Sequence, residues 1–190
     1  GPALRERDIL FCLDGIQTLG AFPTTTEHVD LLAADAHKWL LGPCAAGLMY
    51  VRQTLQERLH PGAYGWNNVR CPNFVAQEHI ALRPGSARFE PGTYNLLGLV
   101  GLKAAMELLL ELGVDNIAAE LLRKRSWLVP ALQAKGAAVL NADVPAANAS
   151  GIVTFQLPGQ DMAAVHEKLT TADIITSLRT DRAGQRYIRL

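Results

Sequence analysis

The sequence has no uninterrupted apolar run near the roughly 18 residues that a membrane-spanning helix needs. No signal-peptide pattern opens it. A membrane is therefore not an expected partner. Neither sign of charge is in excess, because eighteen Lys and Arg balance eighteen Asp and Glu. Without a basic field, nucleic acids and anionic surfaces are not expected partners either. A small molecule or another subunit remains. Cysteine is scarce: Cys12, Cys44 and Cys71 are odd in number and irregular in spacing. They form no metal-ligand pattern and no disulfide framework, which points to a reducing, cytoplasmic setting. Internal repeats and low-complexity segments are absent. What is present is ordinary globular composition, 190 residues of which 49% are hydrophobic, enough for a sizeable core.

The apolar run from Asp8 to Asp14 reads as a buried strand ending in a carboxylate, with Cys12 in its core. A second run, Val29 to Ala34, leads into Asp35-Ala36-His37-Lys38. After Gly42-Pro43, Ala46 to Val51 reads as another strand. Residues 60–95 are rich in Gly, Pro and Asn, and a loop of that length in a compact domain is usually functional or mobile. Leu97 to Leu112 has Leu102, Ala105, Met106 and Leu109 at helical spacing, and Gly113 stands at the C-cap position. A second helix is expected over Val114 to Lys135, kinked or interrupted at Pro130. Beyond it, Gly151 to Leu157, Ile174-Ile175 and Tyr187 to Leu190 read as strands and Asp161 to Leu169 as a helix. The expected organisation is α/β, with residues 1–135 forming part of a large domain and 136–190 a small α+β C-terminal domain. A doubly wound sheet needs more parallel strands than these, so a preceding segment is expected.

Three short motifs follow one another: Asp14-Gly15-Ile16-Gln17, then His37-Lys38 ahead of Gly42-Pro43, then Arg88-Phe89-Glu90-Pro91-Gly92-Thr93. Each alone has an ordinary reading, as a helix cap, a solvated pair or a plain turn. In this order and spacing they resemble the C-terminal portion of pyridoxal 5'-phosphate (PLP) enzymes of the aminotransferase class V family. That family has the fold-type I transferase architecture and includes cysteine desulfurases and isopenicillin-N-epimerase-like proteins. It carries D-x-x-Q after a strand, H-K before a Gly-Pro turn, and R-F-E-x-G-T.

The resemblance implies roles. PLP is an electron sink that needs a protonated ring nitrogen, and a carboxylate beside that nitrogen keeps it protonated. Asp14 takes that role. Gln17 donates to the ring oxygen, Lys38 is the catalytic lysine that binds the cofactor as a Schiff base, and His37 contacts the phosphate. Gly92 and Thr93 match the element that reaches the phosphate across a homodimer interface. Arg189, rather than Arg186, matches the family's arginine for the substrate carboxylate, and the two lie on opposite faces of a strand. The substrate implied is a small amino acid or keto acid, and the reaction transamination.

Two departures bear on the branch of the family. Desulfurases usually have Ser where Asp35 stands, and a carboxylate there repels phosphate. They also use a loop cysteine before the last arginine strand, whereas Ile174 to Gln185 contains none. Cysteine desulfurase, lyase or epimerase-like chemistry is the alternative within the class. A non-catalytic family member serving as a dimerisation or binding module is the alternative outside it. Trp39, Tyr64, Trp66 and Tyr94 either line the substrate mouth or pack under the loop. No metal site is expected.

Overall fold

The structure, a computed structural model, describes residues 1–71 and 75–190. Part of the long loop expected over 60–95 therefore lies outside the described residues. Two compact units are present, Gly1–Val114 and Asp115–Leu190. The division falls one helix earlier than the 135/136 boundary expected from the sequence.

In the first unit, a short helical turn α1 (Pro2–Arg5) precedes β1 (Cys12–Asp14), β2 (Leu31–Asp35) and β3 (Gly47–Val51). The three strands form one sheet in that order. β1 runs parallel to β2 with Asp14 opposite Ala33, and β3 runs antiparallel to β2 with Gly47 opposite Asp35. Leu32 and Ala34 on the central strand are buried, and the core continues through Val29, Val51 and Leu55, the last in the turn α2 (Gln53–Gln56). Asp30 is buried just before β2. Its Oδ2 accepts the Phe11 N–H at 2.8 Å and its Oδ1 lies 3.1 Å from Arg52 Nη2. One carboxylate thus ties the entry of β1 to the exit of β3.

β1 is shorter than the run Asp8–Asp14 suggested, and Cys12 is exposed rather than in the core. β1 pairs with β2 alone among the described residues, and Ile9 and Leu10, ahead of the paired segment, are exposed.

Helix α3 (Leu96–Leu112) is capped by Asn95, whose Oδ1 accepts the Gly98 N–H at 3.0 Å, and ends at Gly113 with φ 81°. Leu102 and Leu109 face the core as the periodicity indicates.

The second unit opens with α4, which spans Val114–Ala134. Pro130 does not break this helix. The ring removes the N–H that would bond the Ser126 carbonyl, but both residues are exposed, so water can take that carbonyl. Arg125 is buried and donates to the carbonyls of Ile152 (3.1 Å) and Asn141 (2.6 Å), which seats α4 in this unit. Four strands follow: β4 (Ala138–Val139), β5 (Thr154–Gln156), β6 (Ser177–Thr180) and β7 (Arg186–Arg189), in the order β4-β5-β7-β6, all antiparallel. Helix α5 (Met162–Thr171), capped by Asp161, covers one face. Ala137, Phe155, Met162 and Ile188 form the core. Burying Phe155 or Ile188 contributes about 1.5–3 kcal/mol each.

Ile174-Ile175 is not a strand. Asp173 turns the chain with φ 57°, the Ile174 N–H closes α5 on the Leu169 carbonyl at 2.9 Å, and Ile175 is left 96% exposed. The two isoleucines are used in leaving the helix, and β6 begins after them.

On α4, Glu120 is held by Arg123 at 2.7 and 2.8 Å, with Lys124 at 3.6 Å. The Arg123 guanidinium pulls the Glu120 carboxyl down to about 2. A lowered acid pKa contributes stability that is complete above the ordinary carboxylate range and is lost as pH falls toward about 2. Carboxyl-resolved NMR should show Glu120 titrating near 2, and Arg123→Ala should return it toward 4.5. A wild-type midpoint already at the ordinary value would disprove the pairing in solution.

Candidate active site

The carboxyl ends of β1 and β2 lie side by side because the two strands are parallel and in register. Adjacent strands are about 4.8 Å apart. Asp14 ends β1, and Asp35 ends β2 and leads directly into His37 and Lys38. Two of the three motifs, 21 residues apart in the chain, are thereby brought to one edge of one sheet. Open α/β sheets place ligands at this edge.

Asp14 is exposed. Its Oδ1 accepts the Ile16 N–H at 3.0 Å, which starts the turn carrying Gln17, and Oδ2 has no hydrogen bond among the described residues. Gln17 is half-buried in that turn, which is closed by the Thr18 and Leu19 N–H groups on the Gly15 carbonyl. The turn ends at Gly20, with φ 89°, where any β-carbon would collide with the Trp39 carbonyl. Gly20 is the close approach that fits the first motif against the residue following Lys38. Sequence reading missed it, although a glycine six residues after Asp14 was the available signal.

Lys38 stands at the tip of a closed loop. Ala36 is fully buried; its N–H donates to Ala46 at 2.8 Å and its carbonyl accepts the Gly42 N–H at 2.9 Å. The Leu41 N–H closes on the Lys38 carbonyl at 3.0 Å, with Leu41 at φ 55°. The loop is seated on α3, where a β-carbon at Gly101 would stand 3.2 Å from Pro43 and one at Gly98 3.2 Å from Ala46. Lys38 itself is exposed and forms no ion pair among the described residues. His37 is exposed too, with Nδ1 2.8 Å from Asp35 Oδ1. Asp35 is held below the ordinary carboxylate range, chiefly by that hydrogen bond.

The third motif is reached through two asparagines. Asn68 is fully buried; its Oδ1 accepts the Gly65 N–H at 2.9 Å and its amide donates to the carbonyls of Ala63 (2.9 Å) and Arg88 (3.0 Å). Asn67 donates to the Tyr94 hydroxyl at 3.0 Å. Arg88 is buried with Nη1 2.8 Å from Glu57, close but too poorly aligned to count as a hydrogen bond, and its Nε is unpartnered among the described residues. Gly92 and Thr93 are exposed, and nothing within 4 Å of Gly92 requires a glycine there.

A depression of about 640 Å³ is walled by Asp14, Ala33, Asp35, Gly47, Phe89 and Glu90 among others. It joins the first motif to the start of the third. Gln17, His37, Lys38, Gly92 and Thr93 are not among its walls. Tyr64, Trp66 and Tyr94 are exposed and Trp39 is half-buried. Arg189 belongs to the second unit. It is half-buried on β7 opposite Thr154 and Ser177, while Arg186 is exposed and its Nη1 lies 3.5 Å from Asp161.

A mixed sheet that brings a strand-end carboxylate and a His-Lys turn to one edge, with a helical and antiparallel-sheet unit following, defines a fold-type I PLP-dependent transferase. The solved structure of C-DES with glycine covalently linked to its PLP cofactor shares that fold. It is 25% identical with a TM-score of 0.79, over 95% of this chain and 46% of that one. The chain belongs to the aminotransferase class-V family, whose pattern matches residues 1–185. A probable cysteine desulfurase of Pyrococcus abyssi is 26% identical over 119 residues, 62% of this chain and 29% of that protein. The uncharacterized aminotransferase YcbU of Bacillus subtilis is 32% identical over 115 residues, 60% of this chain and 30% of its own. The chain thus spans under a third of these curated relatives and about half of the solved structure.

Proposed function

We propose that this chain carries the lysine-bearing part of a PLP-dependent enzyme that transfers an amino group between an amino acid and a keto acid. The observation that carries the reading is the shared sheet edge of Asp14 and the His37-Lys38 turn. The residues fit the cofactor. Among the described residues, Asp14 keeps one carboxylate oxygen free beside an open depression, and Lys38 offers an amine without an ion pair on a loop closed by backbone hydrogen bonds. Bound PLP supplies an electron sink for charge that develops at the substrate's α-carbon.

Asp14 stabilises positive charge on the ring nitrogen, and Gln17 donates to the ring oxygen. Lys38 is the covalent anchor and, once freed, moves the α-proton with its amine. His37 and Thr93 offer donors to the phosphate, Thr93 and Gly92 from a second subunit of a homodimer. Arg189 holds the substrate carboxylate with its planar fork.

The names of several relatives favour a second reading, cysteine desulfurase. Cys12, Cys44 and Cys71 are all exposed, so none is excluded as a reactive thiol by burial. One argument against it stands: β6 and β7 are joined by a tight turn in which Asp181 Oδ1 accepts the N–H groups of Ala183 and Gln185, both at 2.9 Å, and no thiol is in it.

The two readings separate in one assay of the natural protein. Incubation with amino acids and a keto acid should transfer the amino group, and incubation with cysteine should release little sulfide. Sulfide as the main product would replace the transaminase reading. Arg189→Lys keeps the charge but loses the fork, so kcat/KM should fall more than about tenfold, the equivalent of 1.4 kcal/mol, with PLP binding little changed. Arg186→Lys should be near silent, and the reverse pattern would refute the assignment.

A further inference from the structure

Asp35 stands where the family's desulfurases usually have serine, and its carboxylate has a definite job in this fold. One oxygen, Oδ1, lies 2.8 Å from His37 Nδ1 and also accepts the His37 backbone N–H at 3.2 Å. Ring and backbone of His37 are therefore fixed by the same atom. Ala36 between them is immobilised by its own two backbone hydrogen bonds, so the turn cannot swing to release the pair. Hydrogen bonding from His37 also favours the ionised form of Asp35, which can only accept. Nδ1 must then be the donor in this contact.

We infer that Asp35 is a positioning residue. It commits Nδ1 of His37 as a donor to Asp35. Nε2 then donates to a phosphate-type anion beside Lys38 in the imidazolium form, where both ring nitrogens carry a proton and Asp35 balances the charge. The ligand named here rests on the phosphate contact proposed above; the positioning of the ring does not. The arrangement also explains how a carboxylate is tolerated at this turn. Its charge is engaged by the imidazole and the backbone, so the group that meets an incoming anion is the outer edge of the ring.

Nitrogen-resolved NMR of the imidazoles in this chain without cofactor tests the inference, because the two neutral tautomers differ in the shifts of both ring nitrogens. A free neutral imidazole prefers the proton on Nε2. His37 is expected to carry it on Nδ1 at mildly alkaline pH, and Asp35→Ala should return it to Nε2 with unchanged circular dichroism. Asp35→Asn keeps an oxygen acceptor and should keep the Nδ1 proton. Should Asp35→Ala fail to fold, the wild-type tautomer alone decides: a proton on Nε2 overturns the proposal. A second measurement, on the natural protein, compares PLP with pyridoxal, which lacks the phosphate. Asp35→Ala should weaken PLP binding about tenfold and leave pyridoxal binding within about twofold. Equal losses for both ligands, with the wild-type tautomer on Nδ1, would overturn the phosphate contact of His37 and leave the positioning by Asp35 supported.

Discussion

Replacing Lys38 with alanine should remove at least about a thousandfold of kcat in the natural protein, about 4 kcal/mol of barrier, while leaving its stability almost unchanged. The asymmetry follows from the loop. Its shape is held by backbone bonds of Ala36 to Ala46 and Gly42, and by Gly20 packed beneath the Trp39 carbonyl. None of these uses the lysine side chain, which is exposed. Exposed substitutions away from such features usually change stability by about 0.5 kcal/mol or less. The other lysines are exposed on helices or their ends, and two are engaged: Lys103 with Glu107 at 2.7 Å and Lys124 with Glu120 at 3.6 Å. Borohydride reduction followed by peptide mapping should therefore place the pyridoxyl label on Lys38. In Lys38→Ala the label should vanish, and a small exogenous amine should restore part of the rate. Label chiefly on Lys103, Lys124, Lys135 or Lys168 would end the assignment.

What the sequence made legible was the family, through its motifs, and the elements carried by long periodicity. Asp14, His37 and Lys38 could be placed because each ends or follows an apolar run, and parallel pairing then brings such ends together. Helices α3 and α4 were visible from their 3.6-residue spacing and from Gly113. Strand limits were not, because they depend on partners. Ile9 and Leu10 are as apolar as any strand residue yet lie ahead of the segment that pairs with β2, and Ile174-Ile175 is spent on a helix exit. The Asp35–His37 contact escaped notice for a related reason. A spacing of two belongs to no helical face, and only the fixed turn through Ala36 makes it a contact. Asn67 and Asn68 were the largest omission. Asparagine amid Gly and Pro reads as turn chemistry, and nothing local distinguishes an exposed turn residue from a buried bracket.

That bracket gives the second large effect, Asn68→Ala. The side chain is fully buried and its three hydrogen-bond partners are backbone groups: the Gly65 N–H and the carbonyls of Ala63 and Arg88. Truncation strands three polar groups at once. A buried group left unpaired costs about 1–3 kcal/mol, and the total falls short of threefold because water can reach Gly65 and Ala63 more easily than Arg88. A loss of about 3 kcal/mol is expected, a fall in Tm of roughly 10 °C if the two units melt together. Asn68→Asp should be no better, because it keeps the acceptor for Gly65 but turns a carboxylate toward two carbonyls. Asn67→Ala should cost less, since its side-chain partners Tyr94 and Arg83 are both exposed. The consequence for function runs through Arg88, the first residue of the segment ending at Thr93. With its carbonyl released, that segment should become the preferred site of limited proteolysis, and PLP affinity should drop alongside stability. Thermal melts and proteolytic mapping of the three variants decide the matter. An Asn68→Ala protein melting within about 2 °C of wild type, a loss under roughly 1 kcal/mol, would show that the asparagine is not what holds this segment.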